Sequence, residues 1–137
     1  MHEIKIYTDG ACAPSNPGPM GIGFFIPDIK LACWAQKGEG TNNQAEYLAV
    51  MEAIKYFKNI KAFSNDHLKF ITDSLLVVNQ INGDWKIKEK TLESFNKSII
   101  QELDNLIKES KIKSYSFVHV RREYNLVADA LSKYALQ

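Results

Sequence analysis

Hydrophobic and polar residues alternate along the first forty positions of the chain, and this period of two predicts β-strands. Residues 3–9 alternate in this way, with Ile4, Ile6 and Thr8 on one side of the strand. The segments 21–26 and 30–37 are predicted strands that follow clusters of glycine and proline. Because the connections between the three segments are short, we expect an antiparallel arrangement.

The pattern then changes to helical spacing. Thr41 followed by Gln44 has the spacing of a capping box, so a helix is predicted to begin here, with apolar positions recurring as far as Phe57. Residues 68–72 predict a fourth strand. Ser74 is expected to cap a helix that follows this strand directly and ends before Gly83.

The last third of the chain predicts a long helix, a strand and a final helix. The long helix begins at about Thr91, and residues 113–120 alternate as a fifth strand. Residues 121–124 are a short loop, after which Asn125 is expected to cap the last helix. The apolar stripe of the long helix is predicted to be Leu92, Phe95, Ile99, Leu103, Leu106 and Ile107. The core face of the last helix is predicted to be Val127, Ala128, Leu131, Tyr134 and Ala135, with Asp129 off this face.

Composition limits the class of protein. A chain of 137 residues, 45% hydrophobic and 24% charged, fits one globular domain over residues 1–137 and excludes a disordered or fibrous protein. The apolar runs are too short to span a membrane and the N-terminus does not resemble a signal peptide, so we expect a cytoplasmic protein. We also expect a monomer. Cys12 and Cys33 are expected to be free thiols. The net charge of +1 indicates that any binding of nucleic acid depends on a few well-placed cations.

Four acidic residues stand at the ends of predicted elements. Asp9 and Asp73 each end a strand, Glu46 lies in the first turn of its helix on the buried side, and Asp129 lies one turn into the last helix. Taken singly, Glu46 is also explained by the helix dipole and Asp129 by solvent exposure. Brought together, the four would repel each other unless a divalent cation lay between them. Oxygen ligands of this kind suit Mg²⁺ or Mn²⁺.

Four segments in succession resemble the motifs of type 1 ribonuclease H, and the resemblance covers essentially the whole chain. They are Tyr7-Thr8-Asp9-Gly10-Ala11, Thr41-Asn42-Asn43-Gln44-Ala45-Glu46, Ile71-Thr72-Asp73-Ser74 and Asn125-Leu126-Val127-Ala128-Asp129-Ala130-Leu131-Ser132. The resemblance implies an α/β ribonuclease H-like fold, with a five-stranded mixed sheet of three antiparallel and two parallel strands flanked by helices.

It also implies an activity. The family cuts the RNA strand of RNA–DNA hybrids endonucleolytically, leaving 5′-phosphate and 3′-hydroxyl ends, with two divalent cations, Mg²⁺ or Mn²⁺. The resemblance assigns Asp9, Glu46, Asp73 and Asp129 as the metal ligands. It places substrate contacts at Asn16, Thr41, Asn42, Asn43 and Gln44. We expect further substrate contacts at Gly10, Asn79, Trp85, Lys86, Lys88, Arg121 and Arg122. Short polar side chains and exposed backbone suit the recognition of 2′-hydroxyl groups.

The chain departs from the family pattern in three places. The turn after Asp9 is one residue longer than usual before Asn16. The loop histidine of many members is missing, because residues 121–124 contain none, and His119 is expected to lie within the strand and serve structure. The large basic handle is also absent, and residues 84–88 are its nearest counterpart. Trp85 there either stacks on a sugar or packs on the long helix. The sequence thus resembles a compact branch of the family.

Three other functions are alternatives. An enzyme of the same superfamily could be a structure-specific nuclease or could act on double-stranded RNA, since hybrid and RNA duplexes share A-like geometry. A binding module without catalysis would have no reason to gather four repelling carboxylates. A flavodoxin-like signalling domain does not match the order of the strands.

Overall fold

The computed structural model describes residues 2–137, which form one mixed sheet with helices on both of its faces. The strands are β1 (His2–Cys12), β2 (Gly18–Ile26), β3 (Leu31–Gly40), β4 (Asp66–Thr72) and β5 (Ser114–His119). The helices are α1 (Asn42–Phe57), α2 (Leu75–Ile81), α3 (Lys90–Lys108) and α4 (Leu126–Tyr134), with 3₁₀ turns at Pro27–Ile29 and Arg122–Tyr124.

The sheet has the strand order β3-β2-β1-β4-β5. The pairs β1–β2 and β2–β3 are antiparallel, whereas β1–β4 and β4–β5 are parallel. This confirms the predicted fold, three antiparallel strands followed by two parallel ones. It also places the end of β4 beside β1, since Tyr7 pairs with Ile71.

The predicted helix starts are confirmed at two positions. Thr41 and Gln44 form the capping box of α1, and Ser74 Oγ accepts a hydrogen bond from the Val77 N–H at the start of α2. After α2, Gly83 has a φ of +83°, a conformation that glycine adopts without steric cost. Several strands extend beyond the predicted segments, and β1 continues to Cys12 because it pairs with β2 along that length.

The main core lies between the sheet and the helices α1 and α3, where Ile6, Phe70, Ile54 and Leu103 are fully buried. The opposite face of the sheet receives α4, which packs on β1 and β2. Gly23 makes this contact possible, because a Cβ atom there would overlap Leu131 and the backbone of α4. Within residues 2–137, no helix has both the length and the apolarity required to cross a membrane.

The predicted core face of α4 is wrong in part. Val127 and Tyr134 are about half exposed, at 46% and 56%, whereas Asp129 is buried, at 9%. The buried positions are Asn125, Ala128, Asp129 and Ser132, a small and polar stripe at helical spacing. The reason is the close approach of α4 to the glycines of β2, which leaves no room for large side chains between them.

Two further expectations about this region need correction. Asn125 precedes α4 but makes no capping bond to it; its Nδ2 instead donates to the Thr8 carbonyl, at 2.9 Å. His119 is the last residue of β5, as expected, but its side chain is exposed. Burial therefore gives no support to a structural role for His119.

Candidate active site

Three carboxylates meet at the end of the central strand. One oxygen from each of Asp9, Glu46 and Asp73 lies within 4.8 Å of the others. Asp9 is near the end of β1 and Asp73 directly follows the adjacent parallel strand β4, so the sheet itself brings the two together. Glu46 reaches them from the first turns of α1. The predicted convergence of these three residues is what the structure shows.

Gly10 sets the distance between β1 and α1. A Cβ atom at this position would overlap the backbone of Ala45, so only glycine allows the approach. The Gly10 N–H donates to Glu46 Oε1 at 2.8 Å and to Asp9 Oδ1 at 3.0 Å. Gly10, predicted as a substrate contact, thus orients two of the clustered carboxylates.

Asp129 joins the same cleft from the other side of the sheet. Asn125 anchors the start of α4 to Thr8, next to Asp9, and the Asn125 carbonyl accepts the Asp129 N–H at 3.1 Å. The Asp129 carboxylate is close enough to Asp9 to accept a hydrogen bond from its protonated form. It lies outside the group of three, however, and is paired with cations instead.

Those cations are Lys133 and Arg122. Lys133 Nζ lies 3.1 Å from Asp129 Oδ2, one helical turn further along α4. The exposed Arg122 side chain lies between two carboxylates, with Nε 3.8 Å from Asp73 Oδ2 and Nη2 3.9 Å from Asp129 Oδ1. Both cations line the cleft and are available to a phosphate.

The pKa values of the acidic residues reflect their burial and the closeness of the carboxylates to one another. Burial, and then the charge of Asp73, raises the pKa of Asp9 from 3.8 to about 8. Burial, and then the charge of Asp9, also raises the pKa of Glu46 well above its usual value. Burial acts to raise the pKa of Asp129 as well, but the hydrogen bonds from Asp9 and Lys133 outweigh it and lower that pKa.

The donor set fits a hard divalent cation. Asp9, Glu46 and Asp73 offer only oxygen atoms, and Asp73 Oδ1 is buried with no hydrogen-bond donor among the described residues. Burial and mutual repulsion raise the pKa values of Asp9 and Glu46, and a cation held between these carboxylates would act in the opposite direction.

The carboxylates of Asp9, Glu46 and Asp73 line an open cleft of about 620 Å³, called here the carboxylate cleft. Its lining is Asp9, Gly10, Ala11, Cys12, Asn42, Glu46, Asp73, Arg122, Asp129 and Lys133.

Of the predicted substrate contacts around the N-terminus of α1, some lie at the carboxylate cleft and others are bonded within the helix start. Asn42 lines the carboxylate cleft, and Asn16 is held beside it because Asn16 Oδ1 accepts the Asn42 N–H at 3.0 Å. The longer turn after Asp9 therefore still places Asn16 near the site. Thr41 and Gln44 bond to each other in the capping box, so their side chains serve the helix.

A second depression, called here the lysine groove, lies beyond Asn43. It has a volume of about 540 Å³ and is lined by Asn43, Leu76, Gln80, Asp84, Trp85, Lys86, Lys88, Glu89 and Leu92. Trp85 is 46% exposed and lies in the same groove as Leu92 of α3, so part of its ring is open to solvent. The predicted contacts Asn43, Trp85, Lys86 and Lys88 are thus brought together.

The remaining predicted contacts are less central. The Asn79 carbonyl accepts the N–H groups of Asp84 and Trp85, at 2.8 and 3.1 Å, so Asn79 holds the edge of the groove. Arg121 is exposed and pairs with Glu123 at 3.9 Å, whereas Arg122 belongs to the carboxylate cleft.

Sequence reasoning missed Lys133 and a buried polar network. Lys133 could have been found from the sequence, because a lysine four residues after Asp129 on the same helix can form an ion pair with it. The network consists of Tyr47, Gln80 and Asn96, which lie under the lysine groove. Nothing in the spacing of these residues separates them from surface polar positions.

Comparison with known proteins agrees with this geometry. A sequence profile described as RNase H matches residues 1–137. A "Ribonuclease H" of Ehrlichia chaffeensis is 34% identical over 146 residues, covering 97% of this chain and 94% of that protein. The structure of RNase H1 from the archaeon Halobacterium salinarum superposes with a TM-score of 0.82 at 30% identity, covering 98% and 97% of the two chains.

A further solved structure is LC11-RNase H1 in complex with an RNA/DNA hybrid. It is 36% identical to this chain, with a TM-score of 0.80 and coverage of 98% of this chain and 99% of that one. These matches confirm the resemblance found in the motifs and the predicted endoribonuclease class. The chain belongs to the ribonuclease H family.

Proposed function

We propose that this protein hydrolyses the RNA strand of RNA–DNA hybrids endonucleolytically, within one catalytic domain spanning residues 1–137. The observation that carries the proposal is the clustering of Asp9, Glu46 and Asp73 within 4.8 Å in an open cleft. The similar LC11-RNase H1 binds an RNA/DNA hybrid, which supports this substrate.

We infer that Asp9, Glu46 and Asp73 hold divalent cations, with Asp129 completing a site for two ions of Mg²⁺ or Mn²⁺. When bound, cations of this kind would lower the pKa of a water molecule, hold the scissile phosphate and stabilise the leaving oxygen. Hydrolysis forms a bond from the water oxygen to phosphorus and breaks the bond from phosphorus to O3′. The oxygen of water remains on the 5′-phosphate, and O3′ takes up a proton to become the 3′-hydroxyl.

The chain's own cations complement that chemistry. Arg122 and Lys133 face the carboxylate cleft, and a guanidinium can bind two phosphate oxygens at once. Arginine does not release its proton near neutral pH, so Arg122 serves to hold phosphate and does not shuttle protons. This assigns to the loop at 121–124 the task of binding rather than proton transfer.

Recognition of the duplex is assigned to the two depressions together. Asn16 and Asn42 lie beside the carboxylate cleft, where amide groups can reach the 2′-hydroxyls of an RNA strand across the minor groove. Lys86 and Lys88 lie in the lysine groove, on the other side of the α1 N-terminus, where they can neutralise phosphates of the DNA strand.

The direct test uses a labelled RNA–DNA hybrid, with Mg²⁺ present or removed by EDTA. We expect cleavage of the RNA strand that stops in EDTA, and a loss of about a thousandfold or more in the Asp9→Asn enzyme. Asp104→Asn, which removes an exposed carboxylate on α3, is the matched control and should leave the rate unchanged. Cleavage in EDTA, or near wild-type turnover in Asp9→Asn, would contradict the proposal.

Double-stranded RNA is the second candidate substrate, because contacts to 2′-hydroxyls and phosphates do not by themselves exclude it. Parallel assays on matched hybrid, RNA duplex and DNA duplex separate the candidates. We expect the hybrid to be cut fastest and the DNA duplex to remain intact. A cytoplasmic location stays part of the proposal, supported by the two free cysteines. A monomeric state is also proposed, and light scattering in solution tests it.

A further inference from the structure

A chain of buried hydrogen bonds crosses the core beneath the lysine groove. Asn96 Nδ2 donates to the Tyr47 hydroxyl at 3.3 Å, and that hydroxyl donates to Gln80 Oε1 at 2.7 Å. Gln80 Nε2 then donates to the Lys86 carbonyl, at 3.5 Å. The three side chains come from α3, α1 and α2, and all are buried.

The direction of the chain is fixed by its chemistry. The Tyr47 hydroxyl is protonated at neutral pH, accepts a hydrogen bond from Asn96 and therefore donates its single proton to Gln80. This obliges Gln80 to present its oxygen to Tyr47 and its amide N–H groups to the groove. Because buried polar groups are costly when unpaired, such a network holds one rotamer of Gln80 rather than several.

The network ends at Lys86, in a segment that makes few other hydrogen bonds. Residues 84–88 contain no helix or strand, and the N–H groups of Asp84 and Trp85 are tied to the Asn79 carbonyl. Beyond Trp85, the bond from Gln80 to Lys86 is the sole hydrogen bond that residues 86–88 make within the described part of the chain. Ile87 adds a contact with the core.

We propose that Gln80 is a positioning residue for substrate binding, held by Tyr47 and Asn96, which sets the course of the segment that carries Trp85, Lys86 and Lys88 across the lysine groove. The inference rests on the proposed function, since it takes a nucleic-acid duplex as the ligand of that groove. Gln80 touches no reacting atom. It acts on binding through the Lys86 main chain.

The steady-state test compares wild type with Gln80→Leu, which has similar volume but cannot bond to Tyr47 or Lys86. We expect KM for hybrid to rise about fivefold, the factor that corresponds to one ordinary hydrogen bond, with kcat unchanged. Ile99→Val is the matched control. It weakens the packing between α1 and α3, the helices that carry Tyr47 and Asn96, but it removes no hydrogen bond of the network. Its KM should remain at the wild-type value.

Tyr47→Phe tests the network behind Gln80. The double variant Gln80→Leu with Tyr47→Phe should show no larger KM than Gln80→Leu alone, because both changes cut one chain of bonds. Additive effects would mean that Tyr47 acts independently of Gln80. If Gln80→Leu fails to fold, Asn96→Ala cuts the network at its far end and should raise KM in the same direction.

A second readout does not depend on catalysis. In a Trp34→Phe background, Trp85 is the one tryptophan left, and its quenching by acrylamide reports on the order of residues 84–88. We expect quenching to increase in Gln80→Leu and to stay constant in Ile99→Val.

The two proposals fail in different ways. A wild-type protein that does not cut hybrid contradicts the proposed function alone, since the quenching result is independent of activity. Either an unchanged KM or unchanged quenching in Gln80→Leu overturns the positioning role; where the wild type does not cut hybrid, unchanged quenching alone overturns it. A fall in kcat at constant KM would also overturn it, because it would place Gln80 in the chemical step.

Discussion

The substitution Asp9→Asn should remove activity, and it should also stabilise the metal-free protein against unfolding. The Asp9 side chain is buried, at 4% exposure, and lies among the carboxylates of Glu46 and Asp73. Asparagine has the same shape and still accepts the Gly10 N–H through its oxygen. The substitution therefore removes a charge that the fold disfavours and keeps the packing.

The pKa of Asp9 gives both the sign and the size of the effect. Between its ordinary value of 3.8 and about 8, the folded state keeps the proton while the unfolded state loses it. Stability therefore falls as pH rises, by about 1.4 kcal/mol for each pH unit. From about pH 4.5 to about pH 7.5 this amounts to about 4 kcal/mol as an upper limit. Asparagine does not titrate, so its stability advantage over wild type should grow by about 2–4 kcal/mol over that range.

The assay is urea unfolding in EDTA at the two pH values, for wild type, Asp9→Asn and the exposed control Asp104→Asn. The control should stay within about 0.5 kcal/mol of wild type at both. Saturating Mg²⁺ should reverse the order near neutral pH, because the ion binds only the folded wild-type site. The reasoning is refuted if the advantage of Asp9→Asn is the same at both pH values.

The remaining predictions concern binding, the fourth carboxylate and the histidine. Replacing Lys86 and Lys88 by alanine should weaken hybrid binding and reduce the slope of log K against log salt by about two; an unchanged slope in fluorescence anisotropy would place the DNA strand elsewhere. Asp129→Asn should lower kcat less than Asp9→Asn, because Asp129 lies outside the group of three, and Mn²⁺ should restore part of the rate. Equal losses would make Asp129 an equivalent ligand. His119→Ala should change the free energy of unfolding by less than about 0.5 kcal/mol, since the side chain is exposed. A fall of about a hundredfold in kcat would make His119 catalytic.

Local rules were enough to predict the elements, whereas the five-stranded mixed sheet was predicted from the resemblance to ribonuclease H. The alternation in residues 3–9 and the capping box of Thr41 with Gln44 depend on neighbours in sequence, and the structure keeps both. The three clustered carboxylates were predictable for a related reason. Each of them stands at or near the end of an element, and the topology brings those ends to one place.

The orientation of α4 could not be predicted from its composition. Hydrophobicity favoured Val127 and Tyr134 as core residues, but the backbone of β2 at Gly23 comes so close that only small side chains fit. The burial of Asp129 follows from that tertiary contact. The network from Asn96 to Gln80 was hidden for a similar reason, since residues far apart in sequence satisfy each other's polar groups only after folding.

Contacts on both sides of Asp9 hold the backbone of the site in place. Gly10 is pressed against Ala45, and Asn125 holds the Thr8 carbonyl one residue before Asp9. These contacts are made by main chain or by a neutral amide, so they do not depend on pH or on a bound ion. The contacts therefore hold the carboxylates close together, and burial, followed by the charge of Asp73, raises the pKa of Asp9.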